Sequence, residues 1–171
     1  MFVPVTETDV PRIVDLMNQA YRGATSWTTE QAHIAGDRTT DAFLREDIAA
    51  SPAATMLKWV EGDDPTARGC VWLEPMDDAT WYLGSLCVDP SRQNAGQGRA
   101  LLAAAEVWAR ERGAARVRMT VVNVRDTLIA WYVRRGYAAT GAVEPFPYGN
   151  HRVGTPLRAD LAFVVLEKAL A

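Results

Sequence analysis

The sequence predicts an α/β domain built around a mixed β-sheet. Three observations carry that expectation. Helical periodicity fills the stretch from Thr8 to Ser51, a run of three strand-like segments follows, and strands then alternate with helices to the end. No repeat, low-complexity stretch or flexible linker divides the 171 residues, so residues 1–171 read as one domain with room for a real core. Hydrophobic residues make up 49% of the chain against 23% charged, a globular balance.

Each element has a local reason. Phe2 to Val5 reads as a short edge strand, where a proline is tolerated. Between Thr8 and Tyr21, the residues Ile13, Leu16, Met17 and Ala20 fall at i, i+3, i+4 and i+7, one helical face. Thr8 fits as the N-cap, Pro11 lies in the first turn and Gly23 follows the end. From Ser26 to Thr40, Thr28 and Gln31 stand in capping-box spacing and Gly36 supplies a stop, which predicts a second, short helix. Asp41 to Ser51 reads as a further helix, stopped by Pro52.

At Thr55 the period changes. Runs at 55–61, 67–74 and 80–88 are separated by Gly62-Asp63-Asp64-Pro65 and Pro75-Met76-Asp77-Asp78, both good turn sequences, which predicts an antiparallel meander. Then come a helix over about 97–112, a strand over 115–122, a helix over 126–135 and a strand over 137–142. A loop rich in Pro and Gly occupies 143–156, and Arg158 to Lys168 forms the last strand.

Composition excludes some functions. The net charge of −3 lacks the basic surplus expected of a nucleic-acid binder, so no nucleic-acid partner is expected. Cys70 and Cys87 sit in apolar strand runs without CxxC or metal-type spacing. They read as buried reduced thiols, and no metal site is expected. No signal-peptide pattern opens the chain, and no apolar run approaches the ~20 residues that span a bilayer. The expectation is a soluble, cytoplasmic protein without a membrane partner.

The stretch Gln93-Asn94-Ala95-Gly96-Gln97-Gly98-Arg99 opens a helix without a capping Ser, Thr or Asp. The first N–H groups of a helix need partners, and an anion suits that place. Glycines let a phosphate approach the backbone, and Arg99 adds a cation. A glycine-rich turn capped by water explains the same residues. There is no GxxxxGK[ST], and the partial match to GxGxxG lacks the acidic residue of a dinucleotide fingerprint.

Together with its surroundings this loop resembles the GNAT superfamily of N-acetyltransferases. The residues that carry the resemblance are Val88-Asp89-Pro90 ahead of the loop, the loop itself, and Tyr132 followed by Gly136-Tyr137 in the segment AWYVRRGY. It runs over about residues 55–168, with the N-terminal helices matching the family's acceptor-side pair more loosely. The resemblance implies a central, mostly antiparallel sheet with one parallel strand pair at the cofactor cleft and flanking helices. It implies acetyl-CoA as acetyl donor. Backbone of Leu86, Cys87 and Val88 would pair with the pantetheine arm, Gln93 to Arg99 would hold the pyrophosphate, and Asn123 would reach the cofactor from a strand end. The acceptor would be an amine of a small molecule or peptide, and a homodimer is common in the family.

Direct acetyl transfer needs a neutral amine, although alkyl ammonium has a pKa near ~10.4, and a proton for the leaving thiolate. Tyr132 is the candidate acid, a phenol that can donate at neutral pH; as a helical tyrosine it would also serve core packing. The strand before the loop, TWYLGSLCV, carries no glutamate, where some family members have one. Glu30, Asp37, Glu74 and His151 are then conceivable bases through water. Glu30 and Trp27 are the acceptor-side candidates, and Arg125 stands where the family often has asparagine. The acidic net charge points to a cationic acceptor, such as a polyamine or a lysine. A non-catalytic acyl-CoA-binding module and a nicotinamide-dependent oxidoreductase stand as alternatives.

Overall fold

The computed structural model describes residues 1–93 and 96–171. In chain order its elements are β1 (Phe2–Pro4), α1 (Val10–Arg22), β2 (Ile34–Ala35), α2 (Asp41–Ala50), β3 (Thr55–Glu61), β4 (Asp64–Pro75), β5 (Thr80–Val88), α3 (Gln97–Arg110), β6 (Arg116–Val122), α4 (Asp126–Val133), β7 (Ala138–Pro145), β8 (Thr155–Pro156) and β9 (Ala162–Ala169). A seven-stranded sheet runs β1-β3-β4-β5-β6-β9-β7. Its neighbours are antiparallel except β5 and β6, which are parallel. The expected meander is β3-β4-β5, and the mixed α/β class holds.

Alternation along the strands builds a layer on each face of the sheet. Cys70, Met56 and Cys87 face α1 and α2, where Ile13, Leu16, Met17 and Leu44 bury. Val71, Leu73, Leu83 and Val117 face the other way and pack on Leu102, Ala105 and Ala109 of α3 and Tyr132 of α4.

Three local expectations need correction. Thr8 does not cap α1; a 3-10 turn over Glu7–Asp9 precedes it, and Asp9 Oδ2 accepts from both the backbone N–H and hydroxyl of Thr6. The short helix expected between Ser26 and Gly36 does not form. Thr28 spends its hydroxyl on the Ala20 carbonyl at 3.1 Å, Glu30 is drawn inward by two arginines, and the segment makes turns ending in β2. The expected loop at 143–156 is in part strand: β7 extends to Pro145, and Thr155–Pro156 pairs with β2.

One irregularity shapes everything that follows. Opposite Cys70–Trp72 of β4, the paired residues on β5 are Cys87 and Gly84, one residue more than a regular ladder needs. The extra residue is a β-bulge, and Ser85 within it has φ +50. Beyond this bend β5 leaves β6: the parallel pairing ends at Tyr82 and Arg118 among the described residues.

Candidate active site

A cleft of about 410 Å³ opens where β5 and β6 diverge. Leu86, Cys87 and Val88 of β5 line it. Gly96, Gly98 and Arg99 at the start of α3 line one side, and Trp131 and Tyr132 of α4 another. Its charged lining is entirely basic, with Arg99, Arg125 and Arg135 and no acid among the described residues.

The start of α3 explains its sequence. Gly96 is left-handed at φ +78, a conformation that suits glycine, and offers no capping side chain. The first intrahelical bond runs from Ala100 N–H to the Gly96 carbonyl at 3.1 Å. The N–H groups of Gln97, Gly98 and Arg99 therefore precede the ladder, at the positive end of the helix dipole. A Cβ on Gly98 would lie 3.6 Å from Trp131 Cζ2 and 3.9 Å from Val88 Cγ2, so a side chain there would grow between two residues that line the cleft. Arg135 stacks on Trp131 with its guanidinium 3.6 Å from the ring centroid, and its Nε is buried without a partner among the described residues. Burial first, then the Arg134 and Arg99 charges, lower its pKa. A polyanion would relieve that crowding of cations.

The loop is anchored on both sides. Asp89 Oδ1 accepts from Ser91 N–H and hydroxyl, and its Oδ2 accepts from Arg12 of α1 at 3.0 Å. Burial alone would raise its carboxyl pKa, but these bonds win and hold it below the usual range. Gln93 stitches the loop to the acceptor-side turn, accepting from Trp27 N–H at 3.1 Å and donating to Ser26 Oγ at 3.1 Å. Gln97 and Arg92 both bond Glu61 at the end of β3.

Tyr132 stands where this cleft meets a second cavity of about 150 Å³, for both are lined by Tyr21, Leu86, Arg125, Leu128 and Tyr132. The ring is held edge-on by Trp131 and Tyr137, at centroid distances of 5.0 and 5.6 Å. Burial pushes its phenol up to about 12, against a smaller opposing pull from Arg125. The hydroxyl therefore keeps its proton at neutral pH and, among the described residues, has no hydrogen-bond partner.

The second cavity is lined by Glu30, which is held there by two arginines. Its two oxygens accept from Arg22 at 2.5 Å and Arg125 at 2.7 Å, and all three side chains are at most 9% exposed. Arg125 also donates to the Thr28 carbonyl, and Arg22 to those of Gly36 and Val153. Trp27 lies not in this cavity but against the cofactor-side cleft, 6.3 Å from Trp131 by ring centroid.

Asn123 lies apart from both cavities. Its amide donates to the Asp160 carbonyl and accepts from Ala162 N–H, fixing the start of β9. Asp37 and His151 are exposed, and Glu74 accepts from the Trp72 indole. Asn94 and Ala95 lie outside the described residues. Cys70 and Cys87 face each other across β4 and β5 with sulfurs 3.0 Å apart. Tyr21 and Arg38, which line the second cavity, carried no local signal in the sequence.

The model of the acetyltransferase (GNAT) family matches residues 12–137, well over half of the chain. The protein belongs to that family. No curated protein sequence matches it. Among solved structures, the ribosomal-protein-S18-alanine N-acetyltransferase of Escherichia coli superposes with a TM-score of 0.69 at 16% identity, covering 100% of this chain and 94% of that one. A GNAT acetyltransferase of Elizabethkingia anophelis with acetyl-CoA bound gives 0.67 at 16% identity, covering 99% and 97%. Ard1 of Thermoplasma volcanium gives 0.70 at 14%, covering 100% and 97%. At these identities the likeness concerns the fold.

Family membership makes the protein an acetyl-CoA-dependent N-acetyltransferase, with acetyl-CoA as acetyl donor. The described residues fit that donor. The three leading N–H groups of α3, the open space at Gly96 and the Arg99 and Arg135 cations suit a pyrophosphate. Past Tyr82 the bulged β5 has no pairing to β6 among the described residues; the Ser85 carbonyl accepts from Cys70 Sγ and the Val88 carbonyl from Gln93, and the edge between them offers a place for an extended chain bearing amides.

Proposed function

We propose that the protein moves the acetyl group directly onto a primary amine of a small molecule or peptide, with Tyr132 as the acid. The observation that carries this reading is the position of Tyr132, a proton-bearing phenol whose side chain lines both cavities. Acetyl-CoA supplies an acetyl group activated as a thioester. Leu86, Cys87 and Val88 would hold the donor along β5, the start of α3 would hold its pyrophosphate, and Tyr132 would hold a proton for the departing sulfur. The amine would enter from the second cavity. Glu30, the one acid lining either cavity among the described residues, is committed to two arginines, so the amine would lose its proton to solvent. A covalent relay through Cys87 finds no support, since its sulfur faces Cys70 and no histidine among the described residues lines the cleft.

Calorimetric titration with acetyl-CoA, with NADH as control ligand, followed by an amine screen for release of CoA thiol, tests the proposal. Saturable acetyl-CoA binding that weakens at least ~10-fold in Gly98→Leu, with thiol released in the presence of an amine, is the expected result. Binding without thiol release for any amine would return the chain to the acyl-CoA-binding module. Preference for NADH would overturn the assignment of the loop.

A further inference from the structure

The second cavity has a charge opposite to that of the whole protein. The chain carries −3, yet the cavity is lined by Arg22, Arg38 and Arg125 against Glu30 alone. Glu30 is shared between Arg22 and Arg125, both of which also donate to backbone carbonyls. Arg38 is different. No carboxylate among the described residues pairs with it, and its side chain makes no hydrogen bond to them. Its backbone is nonetheless fixed, because Asn18 Oδ1 of α1 accepts from the N–H groups of Arg38 and Thr39 at 2.7 and 3.1 Å. Its guanidinium sits 5.3 Å from the ring centroid of Tyr21, which lines both cavities and so bridges Arg38 to the neighbourhood of Tyr132.

The rest of the cavity is small and mostly apolar, with the hydroxyl-bearing Tyr82, Ser85 and Thr120 on the sheet side. Ile34, Phe146, Val153 and Phe163 line it, with Phe146 and Phe163 stacked at 5.6 Å. At about 150 Å³ it falls below the volume of pockets that hold drug-sized ligands, roughly 300–1,000 Å³. A polyamine would bring a second ammonium against two uncompensated positive charges. A planar carboxylate would instead find the five-donor fork of a held arginine.

We infer that the acceptor is a small carboxylate-bearing amine of the free amino-acid class, with an apolar side chain, and that Arg38 binds its carboxylate. This rests on the acetyl-transfer reading above and reverses the cationic acceptor that the net charge of the chain favours.

The test compares matched amines under saturating acetyl-CoA: leucine against isopentylamine and leucinamide, and phenylalanine against phenethylamine, scored as kcat/KM. The carboxylate member of each set is expected to be favoured by ~10-fold or more. Arg38→Gln should bring that ratio close to one, and Arg38→Lys should leave it in between, with thermal melting confirming that the variants fold. A preference for the decarboxylated amines or the amide, or a ratio unchanged in Arg38→Gln, overturns the inference while leaving acetyl transfer intact. If no amine releases thiol, the transfer reading fails, and binding of N-acetyl-leucine to the CoA-loaded protein decides the carboxylate site. Binding weakened ~10-fold by Arg38→Gln upholds it, and equal binding of uncharged N-acetylisopentylamine sinks it.

Discussion

Glu30→Gln is the substitution that separates scaffold from catalyst. Glu30 accepts from Arg22 at 2.5 Å and from Arg125 at 2.7 Å, with all three side chains at most 9% exposed. Taking the charge away leaves two guanidinium groups in one buried site. Breaking a buried pair in this way costs about 3–5 kcal/mol. The glutamine oxygen still accepts one bond, which places Glu30→Gln near the lower bound and Glu30→Ala near the upper. For a chain of this size each kcal/mol moves the melting temperature by roughly 2–4 °C, so the expected drop is about 6–20 °C. Thermal unfolding followed by circular dichroism reads it. A triple Arg22→Met, Glu30→Met, Arg125→Met variant should recover much of the loss, because apolar replacement of a whole buried ionic cluster is often tolerated. The reasoning is refuted if Glu30→Gln melts within about 1 °C of the parent while its turnover collapses, for Glu30 would then be handling the amine proton.

Other expectations concern protons and thiols. Tyr132→Phe should lower kcat by ~10²–10⁴-fold with little change in acetyl-CoA affinity; an unchanged kcat would remove Tyr132 from the chemistry. Because burial raises the folded-state pKa of Tyr132 to about 12, the folded state keeps a proton that an unfolded tyrosine loses near ~10. Its contribution to stability is complete below pH ~10 and is lost as pH rises to ~12, so denaturant midpoints should fall across that window and fall less steeply in Tyr132→Phe. Asp89 behaves oppositely: its depressed pKa gives stability above the ordinary carboxylate range that is lost as pH falls through the folded value, and Asp89→Asn should blunt that acid loss. Cys70 is fully buried and its thiol is pushed up by burial and by Cys87. It should resist iodoacetamide at pH 8 in the native protein and react in denaturant.

Elements governed by their own period could be read directly. The apolar face of α1, the β3 and β5 runs and the glycine opening of α3 all express local physics. The segment from Ser26 to Thr40 could not be read this way. Its Thr28–Gln31 spacing is a sound capping signal, but it lost to Arg22 and Arg125, residues 8 and 95 positions from Glu30, which pull that carboxylate into the core. The family resemblance implies Asn123 as a cofactor contact; its amide bonds the Asp160 carbonyl and Ala162 N–H at the start of β9, a tertiary pairing that no local spacing announces. Arg38 and Tyr21 had no sequence mark at all, since what distinguishes them is a shared cavity assembled from distant turns. Arg135 looked like a helix-end cation and also lines the cleft, one side chain meeting two demands.

The bulge at Ser85 gives the sheet an interior edge, a break in the ladder flanked by paired strands on both sides. A ligand lying in that break would complete hydrogen bonding that the chain leaves open, so occupancy and folding become thermodynamically linked. At a ligand concentration ~100 times Kd the gain is about 2.7 kcal/mol. That corresponds to a melting rise of roughly 5–11 °C. Amide hydrogen exchange should slow most at Gly84 to Val88 and less at the distant β1 edge. The break therefore makes the melting temperature itself a reporter of what the cleft holds, usable before any acceptor is known.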